Sequence, residues 1–571
     1  MPKVHVQQRL PSPPRRSVRF CPSSLVYTVG YVVNLALIPF KAYMSEPFPW
    51  QLQSLSSFNL NLDAPFDIFA NTTVTYFASK YNQDTVKQGI VFTKDTDGNS
   101  YLLRFSQALP PASDTQCVHY MCYFPGTEPS DRAALKPAGA VFYSQGMAAF
   151  VCDYVAQNAS NRLTGQTSFE CQQATFLGLR VAATCTWIVM SPFDTNNYDI
   201  YHAVQLLEAP VTSWVKFGLR CGLFGYIART VWQLYYRHYG PLLHNLRTLG
   251  LQKSTDSCGY KVLLGDPTWL ILSHPFVSLF MLVDCFVNAS YAGAANSRTS
   301  QVSDIGEFCL GCLYGSRTVW AAYTLMRYAT PLIHQKAWEK YFQPVDPGLL
   351  ALTSSFYSGP LMYLFSRTRI VLAYQWLQSS LVPQAKRLHS VESFPLMVTL
   401  LITMATLPMA HSFVTHAIRN HRIGHATSTF ATRTPDKFAS RHFNDWKHWL
   451  LILRWPRGHD GATKEGGTLY HLFDTNPRYR NFPLFSTRGS DCFVYCVDAD
   501  TGSIVHQVRL SLIYALNRQT TCPTLAIPIC PSDHPTCAVG NLDGYVCGPS
   551  KQSPPSVKCL HLGANACQWI Y

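Results

Sequence analysis

Apolar segments that are long enough to cross a bilayer alternate with polar segments along this chain. A membrane span takes about 20 apolar residues, and six stretches approach that length: 24–40, 211–234, 268–287, 305–326, 349–365 and 394–413. The parts between the first and second stretch, and after the last, have shorter apolar runs typical of soluble domains. The pattern predicts a polytopic α-helical membrane protein with about six transmembrane helices, a mixed α/β, disulfide-bearing ectodomain and a small cysteine-rich C-terminal domain.

The composition strengthens the prediction of a membrane protein. Only 14% of the 571 residues are charged, whereas a soluble chain has about 25%, and the mean hydropathy is neutral. The net charge of +14 would suit nucleic acid, but the basic residues are spread between the apolar segments, where membrane insertion places them. The predicted partner is therefore the lipid bilayer, with no nucleic acid.

The first apolar stretch follows a leader that contains basic residues and no acid. A cleaved signal peptide is the alternative, but the leader is long and no small-x-small cleavage site follows the apolar core. We therefore predict a basic cytoplasmic N-terminus over 1–21 and a signal-anchor transmembrane helix over 22–43. Either reading leaves the next segment in the lumen or outside the cell.

Residues 44–209 have the features of that external domain. The segment contains 14 Asp and Glu against 8 Lys and Arg, and such a deficit of basic residues suits the outside. Glycosylation sequons begin at Asn71 and Asn158. Four cysteines form an even set that allows two disulfides in three alternative pairings: Cys117, Cys122, Cys152 and Cys171. A β-hairpin is predicted around Asp97-Gly98-Asn99, because β-rich runs flank these turn-forming residues.

The stretch 174–193, ATFLGLRVAATCTWIVMSPF, has two interpretations. It has the length of a membrane span, but Arg180 at its centre would cost about 2.5–3.5 kcal/mol on insertion. A span here would also place every later loop on the opposite side. Its β-branched and aromatic residues suit buried strands. We favour strands in the core of the external domain, in which Arg180 is solvated or paired.

Charge alternation assigns sides to the later loops. Loops 235–267 and 327–348 contain several basic residues and are predicted inside, whereas loop 288–304 has only Arg298 and is predicted outside. Loop 366–393 disagrees, because it should be external and yet has four basic residues. A bundle of about five transmembrane helices over 210–416, followed by a cytoplasmic tail domain over 417–571, fits best. Five spans in total with an external tail is the alternative.

The tail domain is rich in cysteine. A hairpin turning at Asp500-Thr501-Gly502 is predicted, with Cys492 and Cys496 on one face of its first strand. In the cytoplasm such cysteines would be free thiols or zinc ligands, and outside they would form disulfides. Their wide and irregular spacing argues against zinc. The eight tail cysteines are Cys492, Cys496, Cys522, Cys530, Cys537, Cys547, Cys559 and Cys567.

Ionisable residues within the apolar segments are candidates for function, because such groups are expensive in a bilayer and usually face a protein interior or an aqueous path. Asp284, Arg317, His274 and Arg229 are the residues concerned. Asp284 and Arg317 are expected either to form an intramembrane pair or to be an interfacial acid and a packed structural arginine. Gly311 and Gly315 form a Gly-x-x-x-Gly step that allows close helix approach.

No phosphate loop, dinucleotide-binding glycine motif or nucleophile elbow occurs in the sequence. We therefore predict no catalytic, cofactor-binding or metal-binding residues. The favoured function is a non-enzymatic receptor-like or scaffold protein whose ectodomain binds a protein or small-molecule ligand, in the plasma membrane or a secretory-pathway membrane. A transporter or channel that uses Asp284 and Arg317 is the alternative, and a membrane-bound enzyme is the second alternative.

Overall fold

A computed structural model describes this chain over residues 17–52, 62–82, 85–86, 92–95, 98–108, 145–157, 168–190, 197–248, 258–299, 304–358, 389–426, 463–466, 470, 473, 476–513, 517, 526–528 and 559–561. Two large β-sheets and a set of helices between them account for most of these residues. A short strand pair, β12 (Ala526–Pro528) and β13 (Cys559–His561), is separate from both large sheets.

The six-stranded sheet is built mostly from the predicted external domain. Its strands are β2 (Phe92–Asp95), β3 (Ser100–Ala108), β4 (Ser168–Phe176), β5 (Leu179–Met190), β6 (Asn197–Leu206) and β8 (Ser390–Glu392). Their order is β2-β3-β6-β5-β4-β8, and all neighbours are antiparallel except β4 and β8. The last strand comes from a distant part of the sequence, the loop before the last apolar stretch.

Helices cover both faces of this sheet. The helix α2 (Phe66–Lys80) packs on one face, where Phe77 contacts Trp187 and Leu102. The helix α3 (Gln145–Ala156) packs on the other face, where Tyr101 and Leu103 are buried. Leu102 and Leu103 point to opposite faces because side chains alternate along a strand.

The stretch 174–193 is confirmed as a pair of strands rather than a span. It contains the end of β4 and all of β5, which pair antiparallel. The two residues between the strands, Leu177 and Gly178, have φ of 51° and 76°, which is the backbone of a tight type I′ hairpin turn. Arg180 is paired as expected, with its Nη1 2.8 Å from Asp63 Oδ1. The hairpin predicted around Asp97-Gly98-Asn99 is also confirmed, because Asp95 of β2 lies opposite Ser100 of β3.

The five-stranded sheet combines three separate parts of the sequence. Its order is β1-β7-β10-β11-β9, where β1 (Val18–Phe20) is N-terminal and β7 (Cys258–Leu263) lies in the loop 235–267. The other strands belong to the tail: β9 (Thr463–Gly466), β10 (Cys492–Asp498) and β11 (Ile504–Leu510). The predicted tail hairpin is confirmed, because β10 and β11 pair antiparallel around residues 499–503. Cys492 and Cys496 both lie in the buried core of this sheet.

The remaining helices connect the sheets or pack beside them. They are α1 (Pro22–Ala36), α4 (Pro210–Leu234), α5 (Tyr239–Thr248), α6 (Thr268–Leu272), α7 (Pro275–Val287), α8 (Ala289–Thr299), α9 (Ile305–Gly315), α10 (Val319–Gln335), α11 (Pro347–Phe356) and α12 (Phe394–Ala426). Short 3-10 helices follow α1 (Ile38–Met44) and separate α9 from α10 (Ser316–Thr318).

The helix α12 contacts parts of the chain that are associated with both sheets. It begins directly after β8, where Phe394 packs against Phe176 of the six-stranded sheet. Near the middle of the helix, Ser412 donates a hydrogen bond to the Gln343 carbonyl at 2.6 Å. The segment around Gln343 is itself joined to the residues before β10, because Val345 donates to the Leu484 carbonyl at 2.8 Å. The helix α4 likewise starts after β6 and leads toward β7.

The predicted polytopic fold with six transmembrane helices is wrong. In the described part of the chain, one helical segment, Leu400–Ile418 of α12, is long and apolar enough to cross a membrane. Two bent pairs raise the number to at most three: α1 with the 3-10 helix 38–44, bent by 70°, and α7 with α8, bent by 72°. A substantial part of the described chain is β-sheet instead.

The physical reasons for this correction lie in helix length and charge. The helix α4 contains Lys216, Arg220 and Arg229, too many charges for an apolar span. The stretch 305–326 is interrupted at 316–318, and α11 has only 10 residues. Apolar composition predicted helices in these stretches, but a window of sequence does not show where a helix bends or ends.

The set of predicted disulfide cysteines also needs correction. Cys171 of β4 is bonded to Cys185 of β5, which lies outside that set. These two residues are directly opposite each other in the antiparallel pair, with 4.1 Å between their Cα atoms, and such neighbours are within reach of a disulfide. Cys152 is disulfide-bonded as well, whereas Cys117 and Cys122 lie outside the described residues.

Candidate functional site

Four charged side chains from four separate segments converge between the six-stranded sheet and the helices. Glu46 follows the 3-10 helix 38–44, Arg220 lies in α4, Asp284 in α7 and Arg317 in the 3-10 helix 316–318. We call these four residues the charge ring. Asp284 and Arg317 are the pair that the sequence nominated, and Glu46 and Arg220 are additional.

The two carboxylates and the two guanidiniums alternate around the ring. Arg220 Nη1 lies 2.7 Å from Glu46 Oε2, and Arg220 Nη2 lies 2.8 Å from Asp284 Oδ1. Arg317 Nη1 lies 3.0 Å from Glu46 Oε1, and Arg317 Nη2 contacts Asp284 Oδ2. Each carboxylate is therefore shared by both arginines, and the arrangement closes on itself.

The charge ring is buried and electrically neutral. Arg220 is only 1% exposed, and the other three members are buried too. A lone buried charge would be strongly destabilising, so each member depends on the other three. Burial by itself raises the pKa of Glu46, but Arg220 and Arg317 outweigh that effect and lower this pKa to about 2. The Glu46 carboxylate therefore stays ionised at any physiological pH.

The aromatic side chains of Tyr43 and Tyr314 pack against the two arginines of the charge ring. The Arg220 guanidinium lies 4.9 Å from the ring centroid of Tyr43, and the Arg317 guanidinium lies 4.7 Å from that of Tyr314. Both distances suit a cation–π interaction. The Tyr314 hydroxyl also donates to Glu46 Oε1 at 3.0 Å. The flat faces of both guanidiniums are thus covered by aromatic rings.

A second group of polar contacts extends from Asp284 toward the six-stranded sheet. The Asn288 side-chain amide donates to the Asp284 carbonyl at 2.7 Å, and Lys216 donates to Asn288 Oδ1 at 2.6 Å. Lys216 also lies 2.5 Å from Glu208 Oε1. These contacts connect α4 and α7 to the residues directly after β6.

The same group of contacts ends at the turn between β2 and β3. The Tyr291 hydroxyl donates to Glu208 Oε2, and Asn99 Nδ2 donates to the Tyr291 hydroxyl at 2.8 Å. Asn99 has a φ of 51° in this turn, a conformation that asparagine tolerates better than most residues. A continuous chain of polar contacts therefore links a turn of the six-stranded sheet to the charge ring.

The other residues nominated from sequence lie elsewhere. His274 lies at the start of α7, where its Nε2 is 3.1 Å from the Tyr226 hydroxyl, and it does not contact the ring. Asn71 is exposed on α2, and Asn158 lies outside the described residues. Gly311 lies where α8 and α9 pack closely, because a Cβ at this position would be 2.7 Å from the Ala295 carbonyl oxygen.

Sequence reasoning missed Glu46 and Arg220. Arg220 is a single basic residue in the apolar run FGLRCGLFGY. Glu46 follows 45 residues that contain no Asp or Glu. Those two facts were the available signals, since an ionisable group in an apolar setting usually has a partner. The identity of the partner needs the tertiary structure.

The arrangement has the chemistry of a structural clamp. All four charges are matched, so the ring presents neither an unpaired carboxylate for a cation nor an unpaired guanidinium for an anion. Within the residues that the structure describes, no group of three or more His, Cys, Asp or Glu side chains is placed to hold a metal ion.

No protein-family model matches this chain, and no curated protein or solved structure is significantly similar to it. The geometry and the sequence therefore carry the functional assignment.

Proposed function

We propose that this chain is a membrane-associated scaffold or receptor-like protein whose apolar helix surfaces contact a lipid bilayer. The observation that carries the proposal is the segment Leu400–Ile418 of α12, which is long and apolar enough to cross a membrane and of which only 17% is buried inside the protein. A 19-residue helix is about 28 Å long, close to the roughly 30 Å of a bilayer core.

Exposed apolar side chains support contact with lipid. On α12, Ile402, Leu407, Phe413 and Ile418 are all exposed, and on α1 Val26 and Val29 are exposed as well. Soluble proteins rarely present such continuous apolar helix surfaces to water. Lipid would cover them.

The charge ring favours a scaffold over a transporter. A transport site needs a group that exchanges its partner for substrate during the cycle, whereas each charge of the ring is already matched by two opposite charges. Separating them inside the protein would be costly. We therefore assign the charge ring to holding α4, α7 and the segment after α1 together, beside a six-stranded sheet that is available to bind a partner.

Flotation of the full-length protein with phosphatidylcholine vesicles tests the contact with lipid. We expect the wild type to float with the vesicles and the double variant Ile402→Asn/Leu407→Asn to float less, because both side chains lie exposed on the apolar surface of α12. Val505→Asn is the matched control, since Val505 is exposed on the five-stranded sheet and its replacement should leave flotation unchanged. A wild-type protein that stays in the aqueous fraction would contradict the proposal.

A further inference from the structure

Aromatic rings form a continuous stack where the segment after α1 meets the start of α4. Tyr43 and Phe48 are stacked with ring centroids 4.4 Å apart, and Phe48 and Trp50 are stacked at 4.6 Å. Trp50 then contacts Phe217 at 5.7 Å and Trp214 at 6.4 Å. We call these five residues the aromatic ladder.

The two ends of the aromatic ladder have different surroundings. At the inner end, Tyr43 packs against Arg220 of the charge ring. At the outer end, Trp50 is 61% exposed and Trp214 is 51% exposed. Leaving large aromatic surfaces in water is unfavourable by about 25 cal/mol for each Å². We therefore expect a partner to cover the exposed end of the ladder.

The position of the exposed end indicates what that partner is. On one side it continues into apolar surface, because Val211 and Val215 of α4 are exposed. The ladder also begins within the bent helix pair 22–44, one of the segments that could enter a membrane. On the other side lies the six-stranded sheet, since Lys94 of β2 donates to the Ser45 carbonyl. The two tryptophans thus stand at the border between apolar helices and a polar domain.

We propose that the aromatic ladder is an interfacial anchor, with Trp50 and Trp214 in the phospholipid headgroup region on the side of the six-stranded sheet. The indole ring is apolar, and its N–H donates hydrogen bonds, so tryptophan is favoured where hydrocarbon meets headgroups. The proposal rests on the membrane assignment proposed above. Its mechanical consequence follows from Tyr43 of the ladder, which packs against Arg220 of the charge ring, so the depth of the charge ring is fixed relative to the lipid surface.

Depth-dependent fluorescence quenching in the full-length protein tests this anchor. The protein is reconstituted in phosphatidylcholine vesicles that contain lipids brominated either near the headgroup or near the end of the acyl chain. The emission lost in the Trp50→Phe/Trp214→Phe double variant is taken as the signal of the ladder. We expect shallow bromines to quench this signal more than deep bromines do. We also expect aqueous iodide to quench it less in the reconstituted protein than in the unfolded protein.

A matched control uses a tryptophan in the core beside the six-stranded sheet. Trp187 is 2% exposed and is stacked on Tyr201 at 5.2 Å. The emission lost in Trp187→Phe should show no difference between shallow and deep bromines. This control separates a depth effect from unspecific quenching by the vesicles.

Two results would overturn the anchor. Strong iodide quenching of the ladder signal without lipid quenching would mean that both tryptophans face water. Protection from both quenchers, together with crosslinks between copies through Trp50 or Trp214 positions, would mean that a second copy covers the ladder.

Flotation and an alkaline wash of the same vesicles test the membrane assignment separately. A chain that stays with the lipid while its ladder signal is not quenched by bromine refutes the anchor alone. A chain that is lost from the lipid refutes the membrane assignment as well.

Discussion

The Arg220 guanidinium lies 2.7 Å from the Glu46 carboxylate, and both side chains are almost completely buried. This contact joins α4 to the segment after α1, two parts of the chain that are far apart in sequence. It is also one side of the closed charge ring with Asp284 and Arg317. Its expected consequences for stability can be measured directly.

Removing one member of the charge ring should destabilise the protein strongly. We expect Arg220→Met and Glu46→Gln each to reduce the free energy of unfolding by roughly 3–5 kcal/mol, because each leaves a buried charge without its partner. The double variant should lose less than the sum of the two, since it removes both members of a pair. Denaturant unfolding of the detergent-solubilised protein measures all three. Single variants within about 1 kcal/mol of the wild type would argue against a clamp.

The close packing of α8 and α9 makes Gly311 a sensitive position. A Cβ here would lie 2.7 Å from the Ala295 carbonyl oxygen and 2.9 Å from the Thr299 methyl group. We expect Gly311→Ala to lower the thermal midpoint, because the backbone of α8 must shift. Gly218→Ala in α4 is the matched control, since nothing lies within 4 Å of its added Cβ. Alanine should stabilise that helix by about 0.5–1 kcal/mol, and the opposite order of the two effects would contradict the close approach.

The disulfide between Cys171 and Cys185 predicts a specific labelling pattern. Alkylation of the denatured, unreduced protein should leave both cysteines unmodified, and reduction should make both reactive. Cys221 and Cys309 serve as internal controls, because both are exposed and free and should react without reductant. Peptide mapping by mass spectrometry identifies each site. Labelling of Cys171 before reduction would refute the pairing.

His202 should make stability depend on pH. Burial in β6 lowers the pKa of its imidazole to about 3, against about 6.5 in an unfolded chain. Between these two values the unfolded state binds a proton that the folded state does not bind. Stability therefore falls as the pH is lowered from about 6.5 toward 3, with a limiting slope of about 1.4 kcal/mol per pH unit.

The variant His202→Gln isolates this contribution. We expect a smaller loss of thermal midpoint between pH 6.5 and 4.5 in this variant than in the wild type. Thr186→Val is the control, because it removes the 2.9 Å hydrogen-bond partner of this imidazole without removing the imidazole itself, so the pH dependence should remain. Identical profiles for the His202 variant and the wild type would show that this residue does not titrate as described.

The sequence by itself determined the local elements of this protein. The hairpins around Gly98-Asn99 and residues 499–503 follow from turn-forming residues between β-rich runs. The strand pair within 174–193 follows from its β-branched composition and from the cost of placing Arg180 in lipid. Such features depend on neighbours along the chain, so a short window of sequence contains the information that they need.

Only the tertiary structure decided which distant residues meet. Asp284 was a candidate from its apolar setting, but its partnership with both Arg220 and Arg317 depends on how four segments pack. Cys171 was identified as a disulfide cysteine, whereas its partner Cys185 was fixed by the register of β4 against β5. The predicted number of membrane spans was wrong for the same reason. A bend such as the one between α7 and α8 is set by long-range contacts rather than by apolar composition. Composition reports how favourable burial is for a residue, and packing determines which residue it is buried against.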